Sequence, residues 1–285
     1  MVSGAQAETM EVSAPPVITQ APVAAPDWVL RLPKSEQIVF RGALNLDHAG
    51  GQPGAMAYPG FGVAGFLVAV VTHGVIAEAV KSAELNKLQT QADQVLMPYQ
   101  DILQGFRHRE LMQKGFDMAS MGEPRQLVDA SAENSSGWII DSAPIFWMTQ
   151  DRSAIVLDNV LKIHKPDALP GEFYQNTVRV VSSAKDADDL KAFWGVDQGA
   201  VLKDESVRLF AQSLQLAVAD ARRSGTDTRA QKTVRYLEGR QEKMERGEVL
   251  DERCGRVVIR TLRGWVMSVP ARAPSTAGKD AGPCT

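Results

Sequence analysis

The sequence is poor in the residues that build metal sites and disulfide scaffolds. It has two cysteines and four histidines in 285 residues, and neither type falls in a spacing that is typical of zinc ligands. A disulfide-rich scaffold is excluded, because such chains carry many cysteines over a short length. The sequence therefore predicts neither a metal site nor a cofactor.

A strong charge of one sign is also missing. The chain has 31 Lys and Arg residues against 34 Asp and Glu residues, so its overall charge does not favour nucleic acid as a partner. Hydrophobic residues make up 44% of the chain, which excludes an intrinsically disordered protein. Only residues 60–80 form an apolar run of membrane-spanning length, which excludes a polytopic membrane protein.

Common catalytic motifs are absent from the sequence. There is no nucleophile elbow, phosphate-binding loop, dinucleotide-binding glycine pattern, HExxH helix or EF-hand loop. These absences lower the expectation for several enzyme classes, and they leave a site without a known motif open.

The amino-terminal region resembles the processed end of an exported protein. Ala5-Gln6-Ala7 fits the small-residue rule of a signal-peptidase site, although the basic and apolar regions of a signal peptide do not precede it. A chance tripeptide is the alternative. Residues 9–26 contain four prolines, which favour an extended linker. We therefore divide the chain into a signal remnant with a Pro/Ala-rich linker (1–26), a single α+β domain (27–270) and a flexible tail (271–285).

The apolar run continues into an amphipathic segment that ends near residue 96, which predicts one long helix over 60–96. Its first part carries a single formal charge, on Glu78, and is long enough to cross a membrane. That charge and the lack of an aromatic belt favour a buried core helix over a membrane-inserted one.

The period of the hydrophobic pattern changes to that of strands after residue 137. The predicted elements are a hairpin over 138–164, a strand over 176–182, a helix over 204–223 and strands over 232–238 and 255–270. Residues 239–253 are highly charged and predict a hairpin tip or one helical turn. This order favours an α+β fold with a mainly antiparallel sheet, packed by the long apolar helix and by the second, amphipathic helix.

Two His/carboxylate pairs are the candidate catalytic residues. Asp47 and His48 lie in a glycine-rich loop, and His108 and Glu110 lie in a charged helical cluster. A histidine beside a carboxylate is the usual general base of hydrolases, but both pairs also fit ordinary roles in a turn and on a solvated helix face.

The carboxy-terminal third is locally basic. Between Arg222 and Arg263 there are 12 Lys and Arg residues against 7 Asp and Glu residues. Arg235, Arg256 and Arg260 fall on predicted strands, so a basic sheet face could bind an anionic polymer. An exposed sheet crossed by ordinary ion pairs is the alternative.

The two cysteines, Cys254 and Cys284, allow one disulfide bond. It would close a loop of roughly 30 residues and stabilise the fold by about 3–4 kcal/mol in the chain-entropy model. The sequence nevertheless favours a buried, unpaired Cys254, since Cys254 precedes a predicted strand and Cys284 falls in the predicted tail.

Three short stretches resemble exported proteins of Gram-negative bacteria that have no assigned activity. They are residues 92–99 (ADQVLMPY), 254–256 (CGR) and 260–264 (RTLRG). The resemblance implies location in the periplasm or cell envelope and supplies no catalytic residues.

The sequence therefore favours a non-catalytic accessory or structural protein of the cell envelope, which binds other envelope proteins or the membrane surface. A hydrolase with a His/carboxylate site and a binder of anionic polymer are the alternatives.

Overall fold

The computed structural model describes residues 28–44, 86–122, 124–132, 137–169, 171–223 and 229–272. Ten strands in this part of the chain form one mixed sheet, and helices pack against it, so the α+β prediction is confirmed. The strands are β1 (Trp28–Arg31), β2 (Val39–Gly42), β3 (Arg125–Val128), β4 (Trp138–Met148), β5 (Ile155–His164), β6 (Phe173–Val181), β7 (Gln231–Glu238), β8 (Gln241–Arg253), β9 (Arg256–Thr261) and β10 (Val266–Pro270).

The sheet order is β3-β1-β4-β5-β6-β10-β9-β8-β7, and β2 also pairs with β4. Parallel pairs join β1 to β3 and to β4, β2 to β4, and β6 to β10. The predicted mainly antiparallel sheet is therefore wrong in this respect. The physical reason is that the parallel partners are not consecutive in the chain, so helices or further strands return the chain before each parallel pair forms.

After residue 99, the α-helices of the described part of the chain are α1 (Gln100–Gly105), α2 (His108–Met118) and α3 (Leu190–Ala221). Residues 86–92, the described part of the predicted helix over 60–96 that precedes residue 93, are also helical. A 3-10 helix (Asp93–Tyr99) precedes α1. Residues 196–199 leave helical geometry, so α3 consists of a short first turn and a long regular part. The predicted helix over 204–223 is confirmed as this long part, which ends at Ala221.

The main core lies between α2, α3 and one face of the sheet. Its largest fully buried side chains include Trp194 and Phe210 of α3 and Phe116 of α2. A polar network also crosses this interface: Ser142 donates to Asn159, and Asn159 donates to Ser213 of α3. The helix that covers the sheet is α3, while residues 60–85 of the predicted apolar helix lie outside the described residues.

Strands β7 to β10 curl over the opposite face of β5 and β6. Val156 of β5 and Val181 of β6 pack there against Tyr236, Ile259 and Met267 in a second, smaller core. This curl buries charge as well as apolar surface. Asp158 accepts two hydrogen bonds from Arg179, of 2.6 and 2.7 Å, and the Asp158 side chain is 1% exposed.

The carboxy-terminal strands correct two predictions. Residues 241–253 form the long strand β8 rather than a hairpin tip or helical turn. Residues 255–270 form two antiparallel strands, because the chain turns at Gly264. Gly264 has φ +83°, a conformation that glycine adopts without steric cost.

Asp151 organises the turn between β4 and β5 and connects it to the curled strands. Its carboxylate accepts from the Thr149 hydroxyl at 2.6 Å, the Ser153 backbone N–H at 3.0 Å and the Arg240 backbone N–H at 3.1 Å. Burial alone would raise the pKa of Asp151, but these hydrogen bonds together hold the pKa below its ordinary value. The last bond ties the β7–β8 turn to the β4–β5 turn.

Cys254 lies in the turn between β8 and β9 and is disulfide-bonded. The favoured prediction of an unpaired Cys254 is therefore wrong. Cys284 lies outside the described residues.

Candidate functional site

A cavity of about 1160 Å³ opens where the parallel strands β1 and β3 end. We call it the α2 groove. It is lined by residues 32–36, which follow β1, by residues 107–110, 113 and 114 of α2 and its N-cap, and by residues 129–131, which follow β3. Ligands commonly bind beyond the carboxyl ends of parallel strands, where loops and helix N-termini meet.

Backbone contacts fix the start of α2 against the segment that follows β1. The backbone N–H of His108 donates to the Glu36 carbonyl at 2.9 Å. Arg107 and Gln37 form a β-bridge, and their side chains are hydrogen-bonded at 3.2 Å. The amino-terminal end of α2 is therefore held at the edge of the α2 groove.

His108 is the buried polar residue of the α2 groove. It is 5% exposed, and its Nδ1 lies 2.8 Å from the carbonyl oxygen of Ser35. A carbonyl only accepts, so Nδ1 carries the proton and Nε2 carries a lone pair. Burial lowers the pKa of His108, and the bond to Ser35 offsets part of this effect. The imidazole is therefore neutral at pH 7, and no described residue is hydrogen-bonded to its Nε2.

The N-terminus of α2 has two unused backbone donors. The first four N–H groups of a helix have no acceptor within the helix. The N–H groups of His108 and Leu111 are bonded to the carbonyls of Glu36 and Arg107. The N–H groups of Arg109 and Glu110 have no acceptor among the described residues, and no side chain caps the helix. Such donors and the helix dipole favour an anion.

The rim of the α2 groove carries both signs of charge, on Lys34, Arg107, Arg109 and Lys114 and on Glu36, Glu110 and Asp129. Arg109 forms an ion pair with Asp129. Lys114 donates to Glu110 at 2.9 Å, one helical turn away, and this bond raises the pKa of Lys114. The two pairs hold part of this charge in fixed positions at the surface.

The structure brings one predicted His/carboxylate pair into a single cavity. His108 and Glu110 both line the α2 groove, but they are two positions apart on a helix and do not face each other. The Glu110 carboxylate is bonded to Lys114 instead. The other pair, Asp47 and His48, lies outside the described residues.

The three predicted anion-binding arginines do not share one open surface. Arg256 donates to the Ser268 hydroxyl at 3.0 Å and to a backbone carbonyl of β6 at 2.7 Å, and burial lowers its pKa. Arg260 forms an ion pair with Asp220 of α3. Arg235 is exposed on β7 and pairs with a β8 carboxylate at 3.2 Å.

Sequence reasoning missed a third His/carboxylate pair, His164 and Asp141. His164 Nε2 lies 3.0 Å from Asp141, its Nδ1 lies 2.9 Å from the Lys165 carbonyl, and Asp141 also pairs with Arg31 at 3.2 Å. The strand alternation of the 138–164 hairpin, which puts both residues on one face, was the signal for it.

Comparison of the chain with known proteins identifies no relative. No protein-family model, curated protein or solved structure matches the chain. No helix among the described residues is long and apolar enough to cross a membrane. The same residues contain no cluster of three or more His, Cys, Asp or Glu side chains that could hold a metal ion.

Proposed function

We propose that this protein is a non-catalytic accessory protein of the cell envelope, and that the α2 groove is where it binds another envelope protein. The observation that carries the proposal is the groove itself. Its volume of about 1160 Å³ is at the upper end of small-molecule pockets and leaves room for a short polypeptide segment. The groove is also lined by both signs of charge and by unused backbone donors, which suits a polypeptide segment.

The environment of His108 supports binding over hydrolysis. A catalytic histidine of a triad is oriented through Nδ1 by a carboxylate and is hydrogen-bonded through Nε2 to a nucleophile. In the described part of the chain, Nδ1 is bonded to the backbone carbonyl of Ser35, and no hydroxyl or thiol is bonded to Nε2. Because Glu110 is bonded to Lys114, the groove lacks the pairing that base catalysis uses.

Three features support location in the envelope. They are the small-residue tripeptide Ala5-Gln6-Ala7, the proline-rich stretch 9–26 and the resemblance to exported proteins. The disulfide bond of Cys254 agrees with them, because disulfides persist in oxidising compartments such as the periplasm.

Cell fractionation tests the location. We expect the protein in the periplasmic or membrane fraction, with Cys254 resistant to alkylation until a reductant is added. Recovery in the cytoplasmic fraction with a reactive Cys254 would contradict the proposal.

Photocrosslinking tests the groove as the binding site. A photoreactive residue replaces Lys34 at the rim of the α2 groove, and a matched variant carries it at Lys232, an exposed lysine at the other end of the sheet. We expect a discrete adduct with an envelope protein from the Lys34 variant alone. Equal adducts from both positions, or none from either, would contradict the proposal.

A further inference from the structure

We propose that the α2 groove recognises a carboxylate of the partner polypeptide, held by the backbone N–H groups of Arg109 and Glu110 and by Nε2 of His108, and that His108 takes up a proton when this carboxylate binds. The inference rests on the proposed function of the groove and names the chemical group that the groove recognises.

The first step concerns the helix terminus. The two unused N–H groups of Arg109 and Glu110 lie in the first turn of an 11-residue helix. Groups in this position bind carboxylates and phosphates, because the donors and the positive end of the helix dipole act together. Side-chain capping does not compete here, since the N-cap residue Arg107 makes no capping bond.

The second step concerns His108, which is independent evidence for a ligand. A side chain that is 5% exposed normally satisfies its polar atoms within the protein. Here Nδ1 is bonded to the Ser35 carbonyl, while Nε2 has no partner among the described residues and His108 lines the groove. A polar atom of a partner that enters the groove would complete the hydrogen bonding of the ring.

The third step couples binding to a proton. A carboxylate only accepts hydrogen bonds, so Nε2 can bind it only in the protonated state. The negative charge of the ligand in turn favours the imidazolium. The pKa of His108 is therefore higher in the complex than in the free protein, and affinity is gained as pH falls through the interval between the two values. Above both values the gain is lost.

The charged groups around the groove identify a polypeptide carboxylate rather than a phosphate-rich lipid surface. The segment after β1 presents Lys34 and Glu36, α2 and its N-cap present Arg107, Arg109, Glu110 and Lys114, and the segment after β3 presents Asp129. The negative charge of Asp204 on α3 also raises the pKa of Lys114. The acidic members of this set repel a dense array of phosphates, whereas a polypeptide of mixed charge can pair with both signs.

The test is an NMR titration of the full chain with acetate, with acetamide as the neutral isostere and inorganic phosphate as the alternative anion. Amide resonances locate the binding, and each titration is run at pH 5.5 and pH 7.5. The diagnostic variant is His108→Asn, because asparagine keeps a donor for the Ser35 carbonyl and removes Nε2. Arg235→Gln, on the far edge strand, is the matched control.

We expect acetate, and not acetamide, to shift the amides of Arg109 and Glu110 saturably. Acetate should bind more tightly at the lower pH, by at most about a hundredfold over the two pH units, since one proton uptake changes affinity by up to about tenfold per pH unit. His108→Asn should lose this pH dependence, and Arg235→Gln should keep it. The wild-type titrations alone test the proposal if His108→Asn does not fold.

Three results would overturn the inference: acetate shifts that spare both amides, acetate affinity in the wild type that is independent of pH, or phosphate binding at these amides that is tighter than acetate binding. The last result would indicate a phosphate group rather than a carboxylate as the recognised anion. If acetate fails to bind while the Lys34 variant still gives its specific adduct, the carboxylate inference fails and the proposed function stands.

Discussion

Replacing Asp158 with asparagine should strongly destabilise the fold. Asp158 is 1% exposed and accepts two hydrogen bonds from the nearly buried Arg179. The substitution Asp158→Asn keeps the shape of the side chain but removes its charge, so the buried guanidinium of Arg179 loses the carboxylate that accepts its two hydrogen bonds. Removal of one partner from a buried pair costs about 3–5 kcal/mol, a large part of the roughly 5–15 kcal/mol that holds a domain folded.

Urea unfolding measures this cost. A loss of about 3–5 kcal/mol should lower the midpoint by more than about 1 M, given slopes of about 1–3 kcal/mol per M. The control is the double substitution Asp158→Leu with Arg179→Met, which removes both charges of this pair and should cost less than Asp158→Asn alone. A loss below about 1 kcal/mol for Asp158→Asn, or a larger loss for the double variant, would refute the claim that the curl of β7 to β10 buries this pair.

Three further predictions concern the scaffold. Gly42→Ala places a Cβ 1.9 Å from the carbonyl oxygen of Ala92, so thermal unfolding should show that the free energy of unfolding falls by about 1–3 kcal/mol. The control is Gly105→Ala, which should cost no stability because nothing lies within 4 Å of the added Cβ. Asn159→Ala removes the acceptor of the buried Ser142 hydroxyl and the donor to Ser213, which keeps its bond to the Phe210 carbonyl. It should cost about 1–3 kcal/mol in urea unfolding, and a neutral result would contradict the role of this network. The lowered pKa of Asp151 contributes stability that is complete above the ordinary value of 3.8 and is lost as pH falls below it. Acid unfolding of Asp151→Asn should therefore depend less steeply on pH than acid unfolding of the wild type. An unchanged acid transition would refute this contribution.

Local patterns predicted the elements that are stabilised locally. The hairpin over 138–164 has strand alternation on both sides of a polar turn, and it forms β4 and β5 as predicted. The helix over 204–223 has a continuous apolar stripe, and it forms the long part of α3. In both cases neighbouring residues supply the signal and the contacts.

Elements that depend on distant pairing were missed. Residues 241–253 carry charged and exposed side chains, so their composition does not reveal a strand; backbone pairing to β7 and β9 makes them one. The parallel pairs of β1 with β3 and β4 join residues about 100 positions apart, and such pairing leaves no local pattern.

The candidate site could be predicted only in part. His108 and Glu110 stood out as a charged cluster on a helix, and both line the α2 groove. The segments 32–36 and 129–131 did not stand out in the sequence, because they meet only where the parallel strands β1 and β3 end together. The tautomer of His108, with the lone pair on Nε2, is set by the Ser35 carbonyl, which is 73 residues away in sequence. No local motif could therefore reveal it.

The most direct test of the α2 groove as a carboxylate site is the ¹⁵N NMR titration of the His108 ring with and without acetate. Without acetate, at pH 7, we expect Nδ1 protonated by its bond to Ser35 and Nε2 unprotonated. Acetate should raise the pH at which the ring becomes charged. A proton on Nε2 in the free neutral ring, or a titration midpoint that acetate does not move, would contradict the account.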